Sequence, residues 1–143
     1  MAVDHVPSGT IADVADTAFD FRRTRAVGEA IADTGLFDGS GGYDVSYVVD
    51  GAVGELRPCA TLLEPDSGRT MEVLTTQPGV QFYSGEALAD EAGRAGMLYQ
   101  KRAALCLETQ HHPDSPHHAQ FPSVVLRPGE TYRETTVNRF SAS

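Results

Sequence analysis

Leu56-Arg57-Pro58-Cys59-Ala60-Thr61-Leu62-Leu63 and Thr70-Met71-Glu72-Val73-Leu74-Thr75 are two runs of strand length, and Asp66-Ser67-Gly68 lies between them. Asp and Ser bond locally to the backbone and Gly tolerates positive φ, so the runs are expected to pair as an antiparallel hairpin. The same grammar extends in both directions. Tyr43 to Val49, Val80 to Ser84, Ala104 to Gln110, Ser123 to Leu126 and Thr131 to Phe140 are further strand candidates, punctuated by Asp50-Gly51, Gln77-Pro78-Gly79 and Arg127-Pro128-Gly129. Short strands between turn residues predict an all-β fold, an antiparallel sandwich or barrel. Helix is expected only as a few turns, one capped by Thr24 and running to Ala32, another over Glu86 to Arg94. Gly28 and Gly93 weaken both. The first forty residues carry Pro7, Gly9, Gly35, Gly39 and Ser40 and are expected to wrap around the strands as loops.

A length of 143 residues suits one domain spanning 1–143. Eleven Lys and Arg against twenty Asp and Glu give a net charge of −9, which repels a phosphate backbone, so nucleic acid is not an expected partner. No apolar window reaches about eighteen residues, and Met1-Ala2-Val3-Asp4-His5 lacks the basic start of a secretory signal. Neither a membrane nor export is expected. Cys59 and Cys106 make no disulfide framework and are read as reduced, buried thiols of a cytoplasmic protein.

Strand alternation places Leu105, Leu107 and Thr109 on one face and Cys106, Glu108 and Gln110 on the other. Glu108 is then a carboxylate in mid-strand, either at a solvated sheet face or in a cleft where it would serve as a general base. By the same parity Gln81 and Tyr83 oppose Val80 and Phe82. Asp44, after Gly41-Gly42-Tyr43, reads as a strand-entry residue or as an acceptor at a loop mouth. His111, His112, His117 and His118 flank Pro113-Asp114-Ser115-Pro116; two prolines break any regular spacing, so surface histidines are expected and no metal site is read from them. Arg69, beside the hairpin glycine, is expected to face solvent. Gly39-Ser40-Gly41-Gly42 lacks the lysine of a phosphate loop and reads as a turn.

Taken in order, these strings resemble a known family: Val6-Pro7-Ser8-Gly9, Ala18-Phe19-Asp20-Phe21-Arg22, Gly42-Tyr43-Asp44, Ser67-Gly68-Arg69, Thr75-Thr76-Gln77-Pro78-Gly79-Val80-Gln81-Phe82-Tyr83, Leu107-Glu108-Thr109-Gln110, Pro113-Asp114-Ser115-Pro116, Phe121-Pro122-Ser123 and Leu126-Arg127-Pro128-Gly129-Glu130-Thr131-Tyr132. The succession resembles the aldose 1-epimerases, or galactose mutarotases, over nearly the whole chain. The resemblance implies a galactose mutarotase-like supersandwich with an open sugar cleft. It also implies interconversion of the α and β anomers of an aldohexose such as galactose or glucose, without a cofactor. It assigns Glu108 as the general base on the C1 hydroxyl, with Asp44 and Gln81 bonding sugar hydroxyls. The parity reading agrees in placing Glu108 and Gln81 off the apolar faces.

Two departures from the family pattern bear on activity. After Gly-Tyr-Asp the family continues with His-Asn and an aromatic, where this chain has Val45-Ser46-Tyr47. The family's histidine acid lies in the half of the fold before Val3-Asp4, so the chain is expected to be a C-terminal portion, truncated on the N-terminal side. His5 does not match that acid. The expectation is a weak or inactive isolated chain that forms a homo-oligomer or joins a complementary N-terminal chain. The alternative is a non-catalytic carbohydrate-binding or structural derivative.

Overall fold

The computed structural model describes residues 7–142. It contains β1 (Asp44–Val48), β2 (Arg57–Glu64), β3 (Arg69–Thr75), β4 (Gly79–Tyr83), β5 (Glu91–Ala92), β6 (Leu98–Tyr99), β7 (Cys106–Gln110) and β8 (Thr136–Ala142). The described residues contain no α-helix, only 3-10 turns at Val27–Thr34, Phe37–Gly39, Arg94–Gly96 and Ser115–His117. Among them no helix is long and apolar enough to cross a membrane. The all-β expectation holds. Three sheets form, in the orders β1-β4-β7, β2-β3-β8 and β5-β6.

Two compact units divide the chain: one holds residues 7–10, Ser46–Val80 and 109–142, the other Ile11–Val45 and Gln81–Glu108. In the first, β2 and β3 make the predicted antiparallel hairpin, from Arg57↔Thr75 to Glu64↔Arg69. Its register shifts between Pro58 and Ala60, next to a residue that has no N–H for the ladder. The Glu64 carboxylate closes the turn by accepting the backbone N–H groups of Asp66 and Ser67, each at 2.9 Å. Strand β8 covers the other edge of β3, from Arg69↔Ala142 to Thr75↔Thr136. Being central, β3 carries the buried Val73 and Thr75.

A buried cation organises the same unit. The Arg57 guanidinium donates to the backbone carbonyls of Asp50 (2.8 Å), Glu55 (3.1 Å), Thr75 (3.3 Å), Val49 (3.3 Å) and Gln77 (2.9 Å). Five backbone carbonyls thus converge on one planar donor fork.

In the second unit Tyr43 is fully buried, and its ring stacks on Phe82 at 5.0 Å. Phe21 meets both rings edge-on, at 5.2 Å from Tyr43 and 5.6 Å from Phe82. The N-terminal loops therefore do more than wrap: Phe21 enters this core, and Ala18 accepts the Tyr43 hydroxyl at 2.9 Å. Such edge-on and stacked pairs stabilise by about 0.5–1.5 kcal/mol each beyond area burial.

Four expectations are corrected. Ser123 to Leu126 is irregular; Pro122 and Pro128 bracket it, and Val125 N–H turns to its own Ser123 Oγ at 3.2 Å. Glu86 to Arg94 is not helical, because the side chain of Glu86 is drawn inward and residues 91–99 fold into the β5–β6 ribbon, where a Cβ on Gly93 would lie 2.6 Å from the Tyr99 ring. Thr24 caps nothing: the turn starts at Val27, has no side-chain cap, and is broken by Ala30 at φ −129°. The last strand begins at Thr136 rather than Thr131, five residues late.

Replacing Arg57 by Ala strands buried carbonyls, so urea unfolding is expected to show a loss of at least about 3 kcal/mol. Arg57→Lys, with one ammonium for five acceptors, should recover less than half of it. A loss below about 1 kcal/mol in Arg57→Ala would mean that the loops hold without the guanidinium.

Candidate functional site

Asp44 opens β1, Gln81 is central in β4 and Glu108 is central in β7, so three strands that are neighbours in one sheet carry one polar residue each. All three belong to the second unit. Strand parity decides which way they face. Ser84 N–H donates to the Tyr43 carbonyl at 2.9 Å, and Tyr43 N–H donates to Ser84 Oγ at 2.8 Å. Since Tyr43 is buried, Asp44 must point to the opposite face, and it is exposed.

On β4 the alternation is equally plain: Val80 and Phe82 are buried, while Gln81 and Tyr83 are half-buried, as their parity predicts. The Gln81 side-chain amide donates from Nε2 to Asp44 Oδ1 at 2.7 Å, joining β1 and β4 diagonally across one face. Its carbonyl oxygen, Oε1, is buried yet has no hydrogen-bond partner among the described residues. An amide acceptor of this kind matches a hydroxyl donor. The Asp44 carboxylate keeps its second oxygen for another donor.

Glu108 is exposed, and among the described residues its carboxylate makes no hydrogen bond or ion pair. Leu105, Leu107 and Thr109 are half-buried, so the two faces of β7 divide as the alternation predicts up to Thr109, while Gln110, expected on the outward face, is also half-buried. Cys106 is the correction: it shares the outward face with Glu108 and is exposed, while Cys59 is half-buried. Burial raises the Cys59 thiol above its ordinary range, with the charge of Arg57 acting in the opposite sense. Arg69 faces solvent as expected.

The histidine segment also departs from expectation. His112 is buried, not a surface residue; its Nδ1 lies 3.1 Å from Ser46 Oγ and its ring 4.9 Å from that of Phe121. Burial, and secondarily the charge of His111, lowers its pKa. A Cβ on Gly79 would stand 2.7 Å from His112 Cε1 and 3.0 Å from the Tyr47 carbonyl, so this glycine is required by space alone. Asp114, at φ 59°, turns the chain after Pro113, and His118 Nε2 stands 3.5 Å from its Oδ2. His117 contacts the Asp114 carboxylate, and His118 Nε2 lies 3.1 Å from the Pro7 carbonyl. No three His, Cys, Asp or Glu side chains among the described residues are grouped to hold a metal ion. His5 lies outside the described residues.

The sequence matches the aldose 1-epimerase family over residues 1–139. It is 42% identical over 139 residues to galactose mutarotase from Mus musculus and likewise to that from Homo sapiens, covering 96% of this chain and 39% of each relative. Against aldose 1-epimerase from Escherichia coli strain K12 the identity is 33% over 140 residues, 96% of this chain and 40% of the relative. A crystal structure of a GalM/aldose epimerase homologue from C. elegans superposes with TM-score 0.79 at 28% identity, over 96% of this chain and 40% of that one. The fold is that of an all-β sandwich, and the chain belongs to the aldose 1-epimerase family. It spans about two-fifths of the length of the curated relatives it matches.

His112 gives a pH test of the packing. Its folded-state pKa is depressed below 6.5 by burial, so between 6.5 and the depressed value the unfolded chain binds more protons and stability rises with pH. Urea midpoints are expected to fall as pH drops below 6.5 and to level off once the folded state also protonates. His112→Phe should flatten that step; an unchanged slope would place the titration elsewhere.

Proposed function

We propose that this chain contributes the base and part of the sugar site of an aldose 1-epimerase, acting on an aldohexose such as galactose or glucose. Glu108 removes the proton from the C1 hydroxyl while the C1–O5 bond breaks. Its electron pair goes to the ring oxygen, which takes a proton from an acid. The C1 carbonyl then turns about the C1–C2 bond, and O5 closes on its other face, its proton returning to the acid's conjugate base as Glu108 gives its proton back to the C1 oxygen, to give the other anomer. Asp44 and Gln81 hold sugar hydroxyls during this exchange. The Gln81–Asp44 pair, with Oε1 of Gln81 still lacking a donor, is the observation that carries the reading. A hydroxyl can donate to Oε1 while another donates to Asp44, as a polyol requires.

The acid is proposed to come from the part of the family fold that these 143 residues do not span. Without it the ring oxygen must be protonated by water, at a cost of roughly 10² to 10⁴ in rate. The isolated chain is therefore proposed to show feeble or no mutarotation. It is proposed to associate with a complementary chain or with itself, through exposed apolar side chains that include Val125 and Phe140, 61% and 75% exposed. A second reading, a non-catalytic sugar-binding derivative, is favoured by one observation: Glu108 is exposed with nothing described holding its carboxylate in place.

Polarimetry of α-D-galactose separates the readings. The isolated chain is expected to accelerate the approach to equilibrium little or not at all. Rapid catalysis abolished by Glu108→Gln would sink the view that the chain lacks its acid. Saturable galactose binding that Asp44→Ala removes, without turnover, would support the sugar site that both readings share; a chain that ignores galactose under all conditions would refute both.

A further inference from the structure

We propose that Glu86 is a positioning residue for Asp44, acting through the hydroxyl of Ser84. The inference rests on the reading of Asp44 and Gln81 as binders of sugar hydroxyls, and it deepens that reading by naming what holds Asp44 in place. Glu86 is unusual in itself. Its carboxylate is 1% exposed in a chain whose charges are otherwise mostly solvated.

Oε1 of Glu86 accepts Arg102 Nε at 2.7 Å and Ser84 Oγ at 3.0 Å, and Oε2 lies 2.9 Å from Lys101 Nζ. Burial alone would raise the pKa of this carboxyl, but the hydrogen bonds from Arg102, Lys101 and Ser84 outweigh it and hold the group below its ordinary range. An ionised carboxylate can only accept. The single Ser84 proton therefore goes to Glu86, 3.0 Å away, in preference to the Tyr43 carbonyl at 3.4 Å. That leaves a Ser84 lone pair for Tyr43 N–H at 2.8 Å. The Glu86 carboxylate thus orients the hydroxyl whose oxygen accepts Tyr43 N–H, the bond that fixes the backbone one residue before Asp44.

The approach to that residue is clamped by the same cluster. Arg102 Nη2 donates to the carbonyls of Ser40 at 3.0 Å and Gly41 at 3.2 Å, and Lys101 Nζ reaches Ser40 Oγ at 3.3 Å. Gly42 lies so close that a Cβ there would be 2.3 Å from Glu86 Cγ, and its φ of +137° suits glycine alone. Residues 40–43 are therefore fixed from the carboxylate side and Tyr43 from the aromatic side. Asp44 leaves this anchor with one backbone direction open to it, which sets where its carboxylate meets Gln81 and a sugar hydroxyl.

The arrangement is tested with Glu86→Gln, Ser84→Ala, Arg102→Ala and Arg102→Lys, using Glu64→Gln as a control carboxylate that closes a turn in the other unit. Calorimetric titration of the 143-residue chain with D-galactose is expected to show about tenfold weaker binding in Glu86→Gln and Ser84→Ala. Their urea midpoints should fall, further in Glu86→Gln than in Ser84→Ala, while Glu64→Gln should leave the affinity unchanged. Arg102→Lys, which keeps the positive charge beside Glu86 but not the Nη2 donor to Ser40 and Gly41, should regain only part of the affinity that Arg102→Ala loses. Wild-type affinity in a folded Glu86→Gln or Ser84→Ala overturns the proposal, as does an Arg102→Lys no better than Arg102→Ala. If Glu86→Gln does not fold, Ser84→Ala decides. If the wild-type chain takes up no galactose, the sugar-site reading fails, and the Gln81 side-chain amide NMR signals judge the positioning role separately. Movement to free-amide positions in Ser84→Ala or Glu86→Gln supports it, and unmoved signals overturn it.

Discussion

Burying the Tyr43 ring is the constraint from which the second unit follows. A phenol with no exposed surface must find a partner for its hydroxyl and flat neighbours for its faces. Ala18 supplies the first; Phe82, Phe21 and Phe19 supply the second. Because side chains alternate along a strand, sinking Tyr43 obliges Asp44 to face away from that core. The carboxylate is offered outward as a consequence of where its neighbour is sunk, and the hydrophobic term supports the polar one.

The two units are held by different physics. Aromatic packing dominates around Tyr43, where strand β4 contributes the Phe82 ring and the N-terminal loops those of Phe19 and Phe21. Around Arg57 the dominant effect is the satisfaction of carbonyls, since those of Val49, Asp50, Glu55, Thr75 and Gln77 all turn toward one guanidinium. A guanidinium suits that task because its donors are fixed in a plane and point outward from a single buried centre. Threonines extend the same economy: Thr136 Oγ lies 3.2 Å from Thr75 Oγ and 2.6 Å from Thr109 Oγ, so short polar side chains bridge where apolar area is scarce.

Much of this was legible in the residues, and the failures have physical causes. The β2–β3 hairpin was readable because its signal is local: Asp66-Ser67-Gly68 between two apolar runs needs no distant partner. The facing of Gln81, Tyr83, Leu107 and Glu108 was readable because a period of two is rigid once a strand is assumed. Ser123 to Leu126 was misread because β-branched and aliphatic residues describe a strand only when a neighbour supplies hydrogen bonds. The inward turn of His112 depends on Gly79 and Phe121, one distant in sequence and the other beyond two prolines, and local pattern does not record it. Glu86 was hidden for the same reason; its partners Lys101 and Arg102 stand some fifteen residues away, and the string Ser84-Gly85-Glu86 carries no periodicity. The site trio was named through family resemblance, while its Gln81–Asp44 bond came only from the structure.

The contact between Gly79 and His112 sets an order on how this chain can change over generations. Any side chain at position 79 collides with the imidazole and crowds the Tyr47 carbonyl at 3.0 Å, so the glycine cannot be replaced before position 112 has become smaller or has turned away and that carbonyl has given way. The reverse order is open, since reducing His112 while Gly79 stands merely leaves space and frees Ser46. Drift at this pair therefore has a direction: position 112 can vary first, and position 79 waits on it.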